Sequence, residues 1–146
     1  MAPKIRLVLA SHGELSKGML NTVQMLLGPQ ENIKAYCLMP EQDVDTFSAL
    51  LAEEVATYGA ENIVFMTELL HGSPFNCTVS LTRDYDLYHV SGINLAMLMG
   101  AIMERDDEDS TAETVCAAAI EAAEGSYQDV RKLLAESDDD EDDDED

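Results

Sequence analysis

Residues 5–20 read IRLVLASHGELSKGML, and this stretch decides the fold. Its first six residues, Ile5–Ala10, are mostly apolar and partly β-branched, which is typical of a buried strand. From Leu15 to Leu27, apolar residues recur every three or four positions, the spacing of one helix face. Gly28 and Pro29 then end this helix. The stretch therefore predicts a strand, a short loop over 11–13 and a helix, the first unit of an α/β fold.

The same alternation of strand and helix continues along the chain. Further predicted strands cover Asn32–Leu38, Asn62–Thr67 and Tyr85–Ser91. Asp43 is the predicted N-cap of a helix that ends at Gly59, and Asn94 is that of a helix from Leu95 to about Glu104. Another predicted helix runs from Pro74 to about Arg83, and the last extends from a Ser110-Thr111-Ala112-Glu113 capping box to Gly125. The predicted fold class is α/β, a doubly wound, four-stranded and mostly parallel sheet with helices on both faces. The segment Tyr127–Leu134 is ambiguous between strand and helix.

Composition and charge narrow the function classes. The 146 residues carry 30 acids and 8 bases, a net charge of −22, and Asp138–Asp146 holds nine of the acids. Without that run, 21 acids still face 8 bases, a net charge of −13. Nucleic acid and anionic membranes are poor partners for such a chain, whereas a basic protein fits well. We expect one domain over residues 1–136 and a disordered acidic tail over 137–146.

The N-terminus and the cysteines indicate the compartment. The apolar run near the N-terminus is too short for a signal peptide or a membrane span. Cys37, Cys77 and Cys116 are odd in number and far apart, so they predict neither a disulfide scaffold nor a zinc site. We expect a cytoplasmic protein with three reduced thiols.

Candidate chemistry gathers where the predicted strands end, because ligands bind at the carboxyl edge of such sheets. His12 follows the first strand and precedes Gly13, which lets a ligand approach closely. Glu68 directly follows the third strand and can accept the Nδ1 proton of His12 if those two strands are adjacent; otherwise it faces solvent. Ser73 is a candidate N-cap, and the helix it would begin offers amides and a favourable dipole to an anion. Together these residues predict a histidine that carries a phosphoryl group.

The remaining candidates are weaker. His71 could line the anion site, whereas His89 in the fourth strand is expected to be structural. Asp106–Asp109 is interpreted as a solvated turn because the calcium-loop pattern is missing. Neither a phosphate-binding P-loop nor a G-x-S-x-G nucleophile motif occurs.

Several stretches resemble one known family. They are LVLASHGELSKGML at 7–20, MLLGPQENI at 25–33, ELLHGSPFN at 68–76 and VSGINLAMLMGAIMERDDE at 90–108. In these the chain is similar to the enzyme IIA component of the mannose-family phosphoenolpyruvate:sugar phosphotransferase system. The resemblance covers residues 4 to 134, and the S-H-G and G-S-P-F-N elements at this spacing are specific.

The resemblance implies a role for each matched position. His12 would be phosphorylated on Nε2, Glu68 would orient its ring, and Ser73 would lie near the phosphoryl oxygens. Gly72, Ser11 and Gly13 would complete the phosphate site, with Leu70, His71 and Pro40 as possible lining. Two departures stand out: Glu68 replaces the usual aspartate, and Leu70-His71 replace an aromatic and a glycine.

The resemblance also implies partners and assembly. The phosphoryl group would come from the histidine-containing phosphocarrier protein and pass to a separate IIB subunit, which serves membrane IIC and IID subunits. Neither cofactor nor metal is implied, because a phosphohistidine is already an activated donor. The family fold has a fifth, antiparallel strand exchanged in a homodimer, which here would be Gln128–Leu134.

Three alternatives remain at this stage. The first is the phosphoryl-donor subunit of a dihydroxyacetone kinase, whose first domain resembles this family. The second, a histidine-phosphatase-like hydrolase, would need an arginine where Ser11 stands. The third is a non-catalytic acidic adaptor.

Overall fold

A computed structural model describes residues 2–144 of the chain, and its centre is a four-stranded parallel sheet. The strands lie in the order β2-β1-β3-β4, and all three pairings are parallel. Their bounds are β1 (Arg6–His12), β2 (Ile33–Leu38), β3 (Ile63–Thr67) and β4 (Tyr88–Ser91). The predicted fold class is confirmed for the sheet, and the fourth strand is shorter than expected.

Within residues 2–144, six α-helices connect or follow the strands. Their bounds are α1 (Leu15–Leu27), α2 (Val44–Tyr58), α3 (Ser73–Ser80), α4 (Leu95–Arg105), α5 (Ala112–Glu124) and α6 (Val130–Asp144). The predicted N-caps Asp43 and Asn94 are confirmed, because each side chain accepts a backbone N–H in the first turn of its helix. Within the described residues, no helix combines the length and the apolar character needed to cross a membrane.

The alternating side chains of the strands bury two cores. Leu7 and Leu9 of β1 pack with α1, α4 and α5 on one face of the sheet. Val8 and Ala10 pack with α2 and α3 on the other face. Both faces of β1 and β3 are fully covered, which explains their continuous apolar runs. The carboxyl ends of the strands are thereby held at one rigid edge.

Two predicted caps are wrong in position. Ser73 lies inside α3, and the residue at its N-cap is Gly72. The capping box of α5 is formed by Thr111 and Thr114, one residue later than predicted, and not by Ser110 and Glu113. Each cap lies one residue from its predicted position.

The single chain forms no strand at Gln128–Leu134, and the exchange of this segment between two copies stays a prediction. Residues 130–144 form α6, and the Asp129 carboxylate accepts the Lys132 N–H near its start. Arg, Lys, Leu, Ala and Glu favour a helix here, and the chain's own sheet does not reach this segment. Residues 137–144 of the predicted tail continue this helix, and 145–146 lie outside the described residues. Every residue from Glu124 to Asp139 is exposed.

Candidate functional site

His12 is the last residue of β1 and lies at the carboxyl edge of the sheet. Its side chain is 47% exposed, although the six residues before it in β1 are buried. Gly13 turns the chain away with a φ of +57°, a conformation that favours glycine, and its N–H donates to the Leu38 carbonyl oxygen at 2.8 Å. The strand and this turn together present the imidazole to solvent.

Glu68 holds His12 at two points. Its Oε1 lies 3.1 Å from His12 Nδ1, and its Oε2 accepts the His12 backbone N–H at 2.8 Å. Because β1 and β3 are adjacent, the condition for the predicted pairing of Glu68 with His12 is met. A carboxylate at this nitrogen makes Nδ1 the protonated one, so Nε2 keeps its lone pair. Glu68 is itself only 12% exposed, which strengthens this interaction.

Gly72 packs directly against the ring of His12. A Cβ placed on Gly72 would lie 2.7 Å from His12 Cε1 and 3.5 Å from Nε2, so only glycine fits without displacing the ring. The Gly72 N–H donates to the Leu69 carbonyl oxygen at 3.1 Å, which closes residues 69–72 into a tight turn. We call this segment the 69–72 turn. It forms one wall beside the Cε1–Nε2 edge of the imidazole.

The N-terminus of α3 follows the 69–72 turn. Ser73 and Phe75 lie in its first turn, where backbone N–H groups lack intrahelical partners, and Pro74 has no N–H to leave unpaired. Ser73 is half-buried and lines a groove of about 270 Å³ between α2 and α3 with Val44 and Asn76. The free amides and the positive end of the helix dipole thus begin directly after Gly72, the residue beside the imidazole, and favour an anion.

The other predicted site residues have different environments. Ser11 is fully buried, and its hydroxyl accepts the Ser16 N–H at 2.8 Å and donates to the Gly13 carbonyl oxygen, so it stabilises the turn after His12. Leu70 is 58% exposed in the 69–72 turn, and His71 is exposed beside it. Pro40 is exposed in the turn after β2, the strand on the other side of β1.

Sequence reasoning missed two groups behind the 69–72 turn. The Asn76 side chain donates to the His71 carbonyl oxygen at 3.1 Å. The Phe75 ring contacts the rings of His71 and His89, at centroid distances of 5.4 and 5.2 Å. Asn76 belongs to the quoted G-S-P-F-N motif, which was the one available signal for it.

His89 lies behind the site, where it contacts Thr67 and Phe75. Its Nε2 lies 2.8 Å from the Thr67 hydroxyl, and burial lowers the pKa of His89 to about 4. The ring is therefore neutral near pH 7. Within residues 2–144, no three His, Cys, Asp or Glu side chains are grouped so that they could hold a metal ion.

The fold and the site define a class: a small α/β protein that presents a carboxylate-oriented histidine beside a helix N-terminus. Comparison with known proteins agrees with it. Residues 6–120 match the family model described as PTS system fructose IIA component. The chain is 34% identical over 126 residues to the PTS system mannose-specific EIIAB component of Escherichia coli strain K12, covering 83% of this chain and 38% of that protein. The chain thus spans well under half the length of this curated relative.

Further similar proteins are also EIIA components of phosphotransferase systems. The PTS system sorbose-specific EIIA component of Klebsiella pneumoniae is 26% identical over 96 residues, covering 65% of this chain and 70% of that protein. Phosphotransferase system component EIIA from Streptococcus agalactiae superposes with a TM-score of 0.79 at 25% identity, covering 88% and 98% of the two chains. The PTS IIA protein associated with the fucose utilization operon of Streptococcus pneumoniae gives 0.75 at 26%, covering 92% and 99%. The chain belongs to the mannose-type EIIA family of the sugar phosphotransferase system.

Proposed function

We propose that the chain carries a phosphoryl group on Nε2 of His12, taking it from the histidine-containing phosphocarrier protein and passing it to a IIB subunit. The observation that supports this most directly is the two-point contact of Glu68 with His12. The contact occupies Nδ1 and leaves Nε2 as the nucleophile at an exposed edge.

The chemistry is a balanced exchange between two imidazoles. The Nε2 lone pair attacks the phosphorus in line, the N–P bond of the donor breaks, and its electron pair returns to the donor ring. As the new bond forms, positive charge develops on the His12 ring, and the Glu68 carboxylate stabilises it. In the passage to the IIB subunit the roles are exchanged: the acceptor attacks the phosphorus, and the Nε2–P bond of His12 breaks with its electron pair returning to the His12 ring.

The anionic oxygens of the phosphoryl group need donors as well. The N-terminus of α3 supplies the amides of Ser73 and Phe75 together with the positive end of the helix dipole. Gly72, which packs on the ring, leaves room for the phosphoryl group because it has no side chain. Positioning and electrostatics of this kind are the main sources of catalysis in phosphoryl transfer.

The charge of the chain suits these partners. A net charge of −22 attracts a phosphocarrier with basic residues around its own histidine and raises the encounter rate. We place this exchange in the cytoplasm, with the membrane IIC and IID subunits reached only through the IIB subunit.

The test is phosphorylation of the intact chain by phosphoenolpyruvate and the two general phosphotransferase proteins, read by mass. The wild-type chain should gain one phosphoryl group, and His12→Ala should gain none. The unfolding temperature of His12→Ala should equal that of the wild type, which shows that the variant is folded. His71→Ala serves as the control and should still reach one phosphoryl group per chain. Full labelling of His12→Ala would disprove the assignment.

We further propose a homodimer in which residues 127–134 of each copy pack on the other copy. β4 is an edge strand, and a groove of about 490 Å³ lies between it and α5. The Ser91 hydroxyl there is buried without a partner among the described residues. Residues 127–134 carry exposed apolar side chains that a second copy could bury: Tyr127, Val130, Leu133 and Leu134.

Two truncations test this assembly. Ending the chain after Ser137 removes nine like charges and no apolar residue, so mass in solution and phosphorylation should be unchanged. Ending it after Gly125 removes all four apolar side chains, and we expect dissociation or aggregation in light scattering. A soluble dimer with full transfer activity after the second truncation would refute the proposal.

A further inference from the structure

His71 has a backbone conformation that costs free energy. Its φ is +68°, in the left-handed region that is uncommon for residues other than glycine, although asparagine, aspartate and histidine adopt it more often than other residues do. It lies directly before Gly72, whose backbone touches the His12 ring. A relaxation of His71 would therefore move the wall that stands beside the reactive nitrogen.

Asn76 opposes that relaxation. Its Nδ2 donates to the His71 carbonyl oxygen at 3.1 Å, and its backbone N–H donates to the Gly72 carbonyl oxygen at 2.8 Å. One residue of the first α3 turn thus holds two successive carbonyls of the 69–72 turn. The side-chain bond is the one that depends on asparagine.

The ring stack holds the same turn from the other side. The His71 ring meets Phe75 edge-on, Phe75 packs on His89, and His89 is hydrogen-bonded to Thr67, the residue before Glu68. The 69–72 turn is therefore connected to Thr67, the last residue of β3, which Glu68 directly follows. Both groups that face the His12 ring, Glu68 and Gly72, are held by this arrangement.

We propose that Asn76 is a positioning residue for phosphoryl transfer, which keeps His71 left-handed and thereby holds Gly72 against the His12 ring. This inference rests on the proposed function for its kinetic readout. Its structural readout, the environment of the His12 ring, is independent of any phosphoryl donor.

The decisive substitution is Asn76→Asp. It keeps the shape of the side chain and replaces the amide donor with a carboxylate oxygen facing the His71 carbonyl. We expect single-turnover transfer to His12 to slow about 10–100-fold, because displacement of the order of 1 Å has effects of this size. The dissociation constant of the phosphocarrier should be unchanged, since residue 76 acts through the turn.

A matched control is available at the other end of the sheet. Asn62 also donates its Nδ2 to a backbone carbonyl oxygen, that of Tyr58, at 3.1 Å. Asn62→Asp should leave the transfer rate and the ¹⁵N shifts of the His12 ring unchanged. If both aspartate variants slow transfer equally, the effect is one of added charge and the proposal fails.

A double-mutant cycle separates positioning from a general structural role. Glycine adopts the left-handed conformation freely, so in the His71→Gly background Asn76→Asp should slow transfer by no more than about twofold. An equal loss in both backgrounds would show that Asn76 does not act through His71. If Asn76→Asp does not fold, Asn76→Ala, which removes the bond without repulsion, takes its place in the cycle.

The His12 ring shifts keep this inference distinct from the proposed function. If the wild-type chain accepts no phosphoryl group, the proposed function is wrong, and the inference is then judged on the shifts alone. Asn76→Asp should move the ¹⁵N resonances of the His12 ring in the unphosphorylated chain, and unmoved resonances would overturn the inference.

Discussion

The two ends of β1 carry the same kind of pair in opposite environments. At the amino end, Arg6 bonds both carboxylate oxygens of Glu54 from α2, at 2.5 and 2.9 Å. At the carboxyl end, His12 is paired with Glu68 at the end of β3. The side chains of the first pair are 11% and 5% exposed, and those of the second are 47% and 12% exposed.

The enclosure of the Arg6 pair explains the difference. The guanidinium lies 4.0 Å from the Tyr58 ring centroid, and the Tyr36 hydroxyl donates to Glu54 Oε1 at 2.5 Å. Burial alone would raise the pKa of Glu54, but hydrogen bonds from Arg6 and Tyr36 outweigh it and hold that pKa below its ordinary value. Every polar group of this pair is satisfied within the protein, whereas His12 keeps one nitrogen for a partner. Under the proposed function, exposure of a single ring edge distinguishes the phosphoryl-carrying pair from the structural one.

The largest effect should come from Glu54→Gln. It leaves the Arg6 cation buried without its counter-charge, and we expect the free energy of unfolding to fall by about 3–5 kcal/mol. Urea unfolding measures this change, and Glu53→Gln, at an exposed neighbour, should change it by less than about 0.5 kcal/mol. Phosphoryl uptake by the folded fraction should be unaffected. A transfer defect in folded Glu54→Gln would show that the two ends are coupled.

Glu68→Gln should have the opposite effects to Glu54→Gln: slower phosphoryl transfer and a nearly unchanged free energy of unfolding. It keeps the shape of the side chain but removes the charge that stabilises the His12 ring, so transfer should slow by about 10–1000-fold. Single-turnover kinetics measures the rate, with Glu41→Gln at an exposed position near the same edge as the control. Unfolding free energy should change little, because this pair is the more exposed one. An unchanged transfer rate would mean that Glu68 does not act on the ring charge.

Mild acid should lower the free energy of unfolding through His89, behind the His12 site, before it acts through Glu54 at the amino end of β1. Burial lowers the pKa of His89 to about 4, so below about pH 6.5 the unfolded chain binds a proton that the folded chain does not. The stability from this group is complete above pH 6.5 and is lost as the pH falls toward 4, by up to about 3 kcal/mol. Unfolding titrations from pH 7 to 5 should show this slope in the wild type and a flatter one in His89→Gln. Glu54, whose pKa is lowered, loses its contribution only at more acid pH. Equal slopes in the two proteins would contradict the assignment.

Part of the site was predictable because its residues lie at the ends of strands. His12 and Glu68 are 56 positions apart, yet each follows a buried apolar run, and parallel strands end at a common edge. Arg6 and Glu54 offered no such signal. Glu54 lies in the middle of α2 among polar and apolar residues. No local pattern therefore indicates that it pairs with a residue 48 positions away. The same holds for the contact of Phe75 with His89.

The alternation of strands and helices follows from the sequence alone, because apolar periodicity and capping residues are local properties. So do the residue types at the carboxyl edge, including His12, Glu68 and Gly72. Only the tertiary structure decided which oxygen of Glu68 meets which atom of His12, and that Gly72 touches the ring. It likewise decided that residues 130–144 form a helix in the single chain. These depend on register, packing and available partners, which arise when distant segments are brought together, and no local pattern encodes them.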